Sequence, residues 1–248
     1  LRLLLEHGPL STRGISACLS PPPGPRALRY ILKRLYDQGL LVRRHERVSS
    51  RVFHQIAQHP GARELAASFL KVPLEQLEQP QFRHAELLHS EDCAVWCELF
   101  RELFPEAEVR RDYQFAPRIE AQGLLLSRFE ERDLLPDLLV TLPVKDSSVG
   151  ISVAVEIERT AKSGKRLLRK LRRYADQTRV DGLIYVCSSD SIQRKLLEVY
   201  LSKVATRALR ISHYAENFFL FADGSVSSDL SEPRMFNAAG RAVSLKAW

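Results

Sequence analysis

Apolar residues return at helical spacing through most of the first 70 positions. Residues 1–8 (LRLLLEHG) read as a short amphipathic helix closed by Gly8, and Ser11 is placed to cap a second helix over residues 12–19. Pro21-Pro22-Pro23-Gly24 breaks the pattern. A third helix is expected over residues 25–38, with a proline at its first position and Gly39 at its end. Leu28, Ile31, Leu32 and Leu35 are expected to face a core, while Arg26, Arg29, Tyr30, Lys33 and Arg34 line the other side. Residues 40–42 and 52–56 then read as two strands around a charged stretch, a β-hairpin. A helix over 62–70 and a polar, proline-punctuated stretch follow. The pattern predicts a first module over residues 1–58, a linker over 59–82 and a second module over 83–248.

The second module mixes both periods. Residues 83–104 carry Leu87, Leu88, Val95, Trp96, Leu99, Phe100 and Leu103 on one helical face, and Pro105 ends the run. Strands are expected at 107–115, 137–142 and 150–158, the last with Val153, Val155 and Ile157 on one face. A strongly basic helix is expected at 163–176, a buried strand at 182–188, a helix at 191–203 and a late strand region at 209–221. The order α-β-β-β-α-β, then α-β, predicts an α/β (α+β) domain with a central mixed sheet.

Charge sharpens this division. The 248 residues carry net charge +7. Residues 1–80 hold twelve Lys/Arg against six Asp/Glu, which leaves 25 against 24 for the rest. A basic module beside a near-neutral one suits docking on an acidic polymer, and the third helix followed by a hairpin resembles a winged helix-turn-helix. That resemblance implies a recognition helix bearing Arg26, Arg29, Tyr30 and Lys33 and a wing bearing Arg43, Arg44, Arg47 and Arg51. A winged helix used for protein contact is the alternative. No apolar run is long enough to span a membrane. Cys18, Cys93, Cys97 and Cys187 lack metal-ligand spacing and read as buried thiols, which points to a cytoplasmic protein. The chain starts at Leu1 and its only methionine is Met235, so a trimmed start is expected.

The chemistry concentrates in three carboxylates. Pro136-Asp137 opens one expected strand, and Glu156-Ile157-Glu158 closes the next. Glu156 and Glu158 share a strand face, and if the two strands are antiparallel neighbours, Asp137 meets them. Three carboxylates in one small volume call for a cation, and oxygen ligands suit Mg²⁺ or Mn²⁺. These positions, in this element order, resemble the PD-(D/E)xK phosphodiesterase superfamily. Glu158 stands where that family usually has Lys, and Lys162, Lys165 or Lys170 could supply the missing charge. The basic helix, with Arg166 and Arg169 among its cations, suits a phosphate backbone.

The winged-helix order, Phe82-Arg83-His84, the Pro-Asp strand, Glu156 to Thr160 and the basic helix with Lys170-Leu171 and Tyr174 together resemble the plasmid replication-relaxation family and the related MOBC-type conjugative relaxases. The resemblance implies origin-DNA binding and metal-dependent nicking of one strand, with mobilisation or coupling proteins as further partners. It implies a metal site of Asp137, Glu156, Glu158 and His84, with Glu91 one face along from His84. Lys165 and Lys170 are the candidate catalytic cations, and Tyr174 is the tyrosine best placed to be a nucleophile, although a packing role and direct attack by water remain open. Seven histidines show no H-x-H spacing, and no Walker A, GxGxxG or G-x-S-x-G pattern occurs. Two alternatives stand beside nicking: a non-catalytic regulator of plasmid replication or transcription that only binds DNA, and a restriction- or repair-type endonuclease.

Overall fold

The computed structural model describes residues 1–46, 50–71, 73–74, 86–112, 135–143, 150–176, 180–203, 219–223, 235–237 and 242–243. The chain divides into two compact units, Leu1–Glu98 and Leu99–Trp248. The expected boundary at residues 82/83 lies outside the described residues.

The first unit runs α1 (Arg2–His7), β1 (Leu10–Ser11), α2 (Thr12–Ala17), α3 (Pro25–Asp37), β2 (Leu41–His45), β3 (Val52–Ile56) and α4 (Pro60–Leu70), then enters α5 (Leu87–Leu103). Its strands form an antiparallel sheet in the order β1-β3-β2. This is the element order of a winged helix. Ser11 caps α2 as its position predicts, its Oγ accepting from Gly14 N at 3.1 Å. The short strand β1 is not legible in the sequence, because two residues offer no alternation to read. Gly39 takes φ 69°, the left-handed region that lets the chain leave α3 and start the hairpin.

One expected core residue is corrected. Leu28 and Leu32 are buried, but Ile31 is 48 % exposed. The buried stripe of α3 leans toward Tyr36, whose hydroxyl shares a 2.6 Å hydrogen bond with His54 Nδ1. His54 in turn bonds Thr12 at 2.8 Å, so the stripe is fixed by a polar contact that periodicity does not weigh.

Helix α5 closes over this unit through Glu91, a buried side chain whose Oε2 accepts from Ser11 N at 2.6 Å and whose Oε1 pairs with Arg51 at 3.1 Å. The approach is tight: a Cβ on Gly14 would collide with the Glu91 carboxylate. His7, fully buried at the end of α1, adds a 2.9 Å hydrogen bond to Glu98.

The second unit contains a seven-stranded mixed sheet in the order β10-β9-β8-β7-β6-β5-β4. Its elements are β4 (Glu108–Arg111), β5 (Leu138–Leu142), β6 (Ile151–Glu158), α6 (Gly164–Asp176), β7 (Gly182–Cys187), α7 (Asp190–Lys203), β8 (Phe219–Asp223), β9 (Met235–Asn237) and β10 (Ala242–Val243). From α5 to β7 the order is the α-β-β-β-α-β expected, and the α/β class holds. Strands β5 and β6 are antiparallel, and β6, β7 and β8 are parallel. Successive parallel strands stepping one way across a sheet place their crossover helices on one face. Accordingly Leu167, Leu171 and Tyr174 of α6 and Ile192, Leu196 and Tyr200 of α7 join Ala154, Leu183, Tyr185 and Cys187 in one core.

β9 and β10 have no counterpart among the expected elements; β8 overlaps the end of the strand region expected at 209–221, of which residues 209–218 lie outside the described residues. All four cysteines are buried and none forms a disulfide, as their spacing suggests. Among the described residues no helix is long and apolar enough to cross a membrane.

Candidate functional site

The acidic site is built where β5 begins and β6 ends. The register Leu138↔Val155 sets Asp137 beside Glu156. The Asp137 carboxylate accepts from Ile157 N at 2.7 Å, which pins it to β6, while its backbone carbonyl accepts from Asp112 N at 3.2 Å. Glu156 and Glu158 alternate with Val155 and Ile157, and both are buried, at 2 % and 4 % exposure. They face α6, because they share the side of Ala154 and of their β7 partners Tyr185 and Cys187.

Helix α6 meets them with a stripe at helical spacing, Leu167, Lys170, Leu171 and Tyr174, all buried. Two apolar residues seat the helix and the other two reach the acid. Lys170 Nζ donates to Glu156 Oε2, and Tyr174 donates to Glu156 Oε1 at 2.5 Å. Lys162, in the loop before α6, pairs with Glu158 at 2.7 Å. Lys165, Arg166 and Arg169 lie on the exposed side of α6. Of the three lysines considered for the missing cation, Lys170 and Lys162 meet the carboxylates, and Lys165 stands among the exposed bases.

The electrostatics follow from burial. Removal from water pushes Glu156 up to about 7; Lys170 opposes that shift, and the negative charge of Asp137 adds to it. Burial by itself would lower Lys170, but Glu156, Asp137 and Glu158 together hold it above its ordinary value as an ammonium. Burial, then the neighbouring Glu156, raises the Tyr174 phenol well above its usual range. A buried, protonated hydroxyl that donates to Glu156 supports that carboxylate and is poorly suited to nucleophilic attack, so Tyr174 is placed as a brace.

The donor set is all oxygen, as a hard divalent cation requires. The three carboxylates are not drawn into one knot: among the described residues they form no set with every ligand atom within 4.8 Å. Glu156 instead leans on Lys170 and Tyr174. Burial raises Glu156 first and the charge of Asp137 adds to it; a cation would offset both, and in this sense the residues fit one. His84 lies outside the described residues. Glu91, considered as its partner, is instead bonded to Ser11 and Arg51 in the first unit.

Sequence reading missed Tyr185. It is fully buried on β7 opposite Glu156, and its hydroxyl has no hydrogen-bond partner among the described residues. The signal was present: a tyrosine at the centre of GLIYVC, where phenylalanine would fill the same space.

The first unit carries the second candidate surface. Arg26, Arg29, Tyr30, Lys33 and Arg34 line the outer side of α3, with Ile31 exposed among them. Arg43 is exposed on β2 and stacks 4.9 Å from the Tyr36 ring, and Arg44 is half-buried. Arg51 turns inward to Glu91, which makes it a strut of the fold; Arg47 lies outside the described residues.

A basic first unit in winged-helix order, followed by an α/β unit with acids clustered under a lysine, is the arrangement that the family resemblance implies. The family comparison agrees: the replication-relaxation model matches residues 1–184, and the chain belongs to that family. Membership ties it to a role in plasmid replication or mobilisation. No curated protein and no solved structure matches the chain.

The buried Lys170–Glu156 pair yields a pH-dependent prediction. Glu156 sits above its ordinary 4.5, so its contribution to stability is complete below that value and is lost as the pH rises through about 7. Lys170→Met should therefore cost about 3–5 kcal/mol at pH 8, where it strands an ionised buried carboxylate. At pH 6 the cost should be clearly smaller, because Glu156 then holds its own proton. Urea unfolding at the two pH values measures the difference.

Proposed function

We propose that the chain is a relaxase-like mobilisation protein that binds plasmid origin DNA and nicks one strand by metal-dependent phosphodiester cleavage. The observation that carries this reading is the gathering of Asp137, Glu156 and Glu158 at one end of β5 and β6 with the Lys170 ammonium buried against Glu156. Asp137, Glu156 and Glu158 would hold Mg²⁺ or Mn²⁺, which when bound polarises a phosphoryl oxygen and stabilises in-line displacement. Lys170 keeps a positive charge inside the site, where it can meet the negative charge that develops on the phosphate oxygens. Tyr174 fixes Glu156 through its hydroxyl. With Tyr174 so occupied, water is the nucleophile this arrangement favours. The exposed bases of α6, Lys165, Arg166 and Arg169, suit the strand backbone, and those of α3, Arg26, Arg29 and Lys33, suit duplex binding. His84 stays a candidate further ligand on the family resemblance, and Arg47 a candidate wing contact.

Cleavage is tested on supercoiled plasmid carrying the protein's own replication or transfer region. Open circles should accumulate with Mg²⁺ or Mn²⁺, and Asp137→Asn and Glu156→Gln should abolish them. Linear product would favour the restriction- or repair-type reading. Retained DNA binding without cleavage under either metal would favour the non-catalytic regulator.

Binding has its own test. Replacing Arg26 and Arg29 together by Ala should weaken binding to the origin duplex. It should also flatten the log–log salt dependence by about one unit for each phosphate no longer neutralised, as read by fluorescence anisotropy. An unchanged slope would place the DNA-binding surface elsewhere.

A further inference from the structure

Strand β7 is buried along its whole length, and its side chains alternate between two faces. Leu183, Tyr185 and Cys187 share the face covered by α6 and α7. Two of them are apolar or nearly so, as that environment demands. The third brings a hydroxyl, and that hydroxyl, fully buried, is bonded to nothing among the described residues. An unmade hydrogen bond of this kind costs more than the bond would have contributed, and nearly all buried polar groups avoid it. Phenylalanine would fill the same volume without the cost.

The position of the orphan is specific. Tyr185 is the register partner of Glu156, and the charges that act on its phenol include those of Glu156, Glu158 and Asp137, the three residues of the acidic site. The hydroxyl thus lies in the field of all three carboxylates without bonding any of them. Its neighbour Tyr174 shows the contrast, because its phenol is committed to Glu156 Oε1.

We infer that the Tyr185 hydroxyl is a donor reserved for an oxygen atom that enters the acidic site with a divalent cation, a water of its hydration shell. Tyr185 is then a positioning residue: it turns the incoming oxygen toward a fixed direction, as outer hydrogen bonds orient the ligands of other metal sites. The inference rests on the cation-binding reading above and adds to it a residue that no motif identifies. The predicted signature is a trade of stability for binding.

The experiment uses the full chain, without DNA. Wild type, Tyr185→Phe, Tyr174→Phe and Asp137→Asn are compared by thermal unfolding without metal and by Mn²⁺ titration, with free Mn²⁺ followed by electron paramagnetic resonance. Tyr185→Phe should melt about 2–4 °C higher, since it removes an unpaired buried group. It should also bind Mn²⁺ about tenfold more weakly or worse. Tyr174→Phe, which loses a made bond, should melt lower. Asp137→Asn should remove the uptake that belongs to the acidic site. A Tyr185→Phe protein that melts lower than wild type, or one that takes up Mn²⁺ with wild-type affinity, overturns the inference. In the second case the cation site itself survives. If wild type takes up no Mn²⁺ that depends on Asp137, the cation reading falls and the role of Tyr185 falls with it.

Discussion

Glu156 lies 2 % exposed within a seven-stranded sheet, where an isolated carboxylate would be neutralised or expelled. The surrounding structure is arranged to keep it. Helix α6 is seated by Leu167 and Leu171 so that Lys170 and Tyr174, one helical step apart, arrive at its two oxygens. Asp137 is fastened to the backbone of Ile157, and Lys162 closes on Glu158. The short crossover from β6 to α6 follows from this geometry, since the helix must return at once over the strand end that carries the acids. A buried ion pair of this kind is weak evidence for stability, because hydrophobic residues of similar volume serve as well or better. On the proposed reading, the pair is the resting state of a site that takes up an external cation beside Lys170.

The first unit also centres on a buried acid, to a different end. Glu91 receives Ser11 N and Arg51 and sits so close to Gly14 that a Cβ there would displace its carboxylate. Its donors bind α5 to the start of α2 and to the hairpin. One consequence is that the wing gives up Arg51 as a surface charge. The basic surface that remains is carried chiefly by α3, with Tyr30 and Ile31 exposed among its cations.

Most of the architecture is legible because it rests on periodicity. The α3 stripe, the hairpin, the long α5 run and the alternation of β6 announce their elements, and Pro25, Gly39 and Ser11 mark their ends. The Asp137, Glu156 and Glu158 juxtaposition is legible as well, since one antiparallel pairing suffices to predict it. What escapes depends on partners distant in sequence. Ile31 has the spacing of a core residue, but the Tyr36–His54 bond rotates the buried stripe away from it. Arg51 looks like any wing arginine until Glu91, 40 residues on, claims it. Tyr174 can be read from its place on a basic helix as nucleophile or as packing residue, and its burial against Glu156 depends on a strand 18 residues back. β1 and β10, of two residues each, have no pattern to read and exist through the strands that pair with them.

On the proposed reading, Glu156 is central as a carboxylate that gives up a proton when a cation enters. Its value of about 7 leaves it mostly protonated at pH 6. Calorimetric titration with Mn²⁺ at that pH, in buffers of different ionisation enthalpy, counts the protons released on binding. Wild type should release close to one proton per cation, falling toward zero at pH 8, and Glu156→Gln should release none at either pH. Mn²⁺ binding without proton release at pH 6, or equal release by wild type and Glu156→Gln, would contradict this role for Glu156.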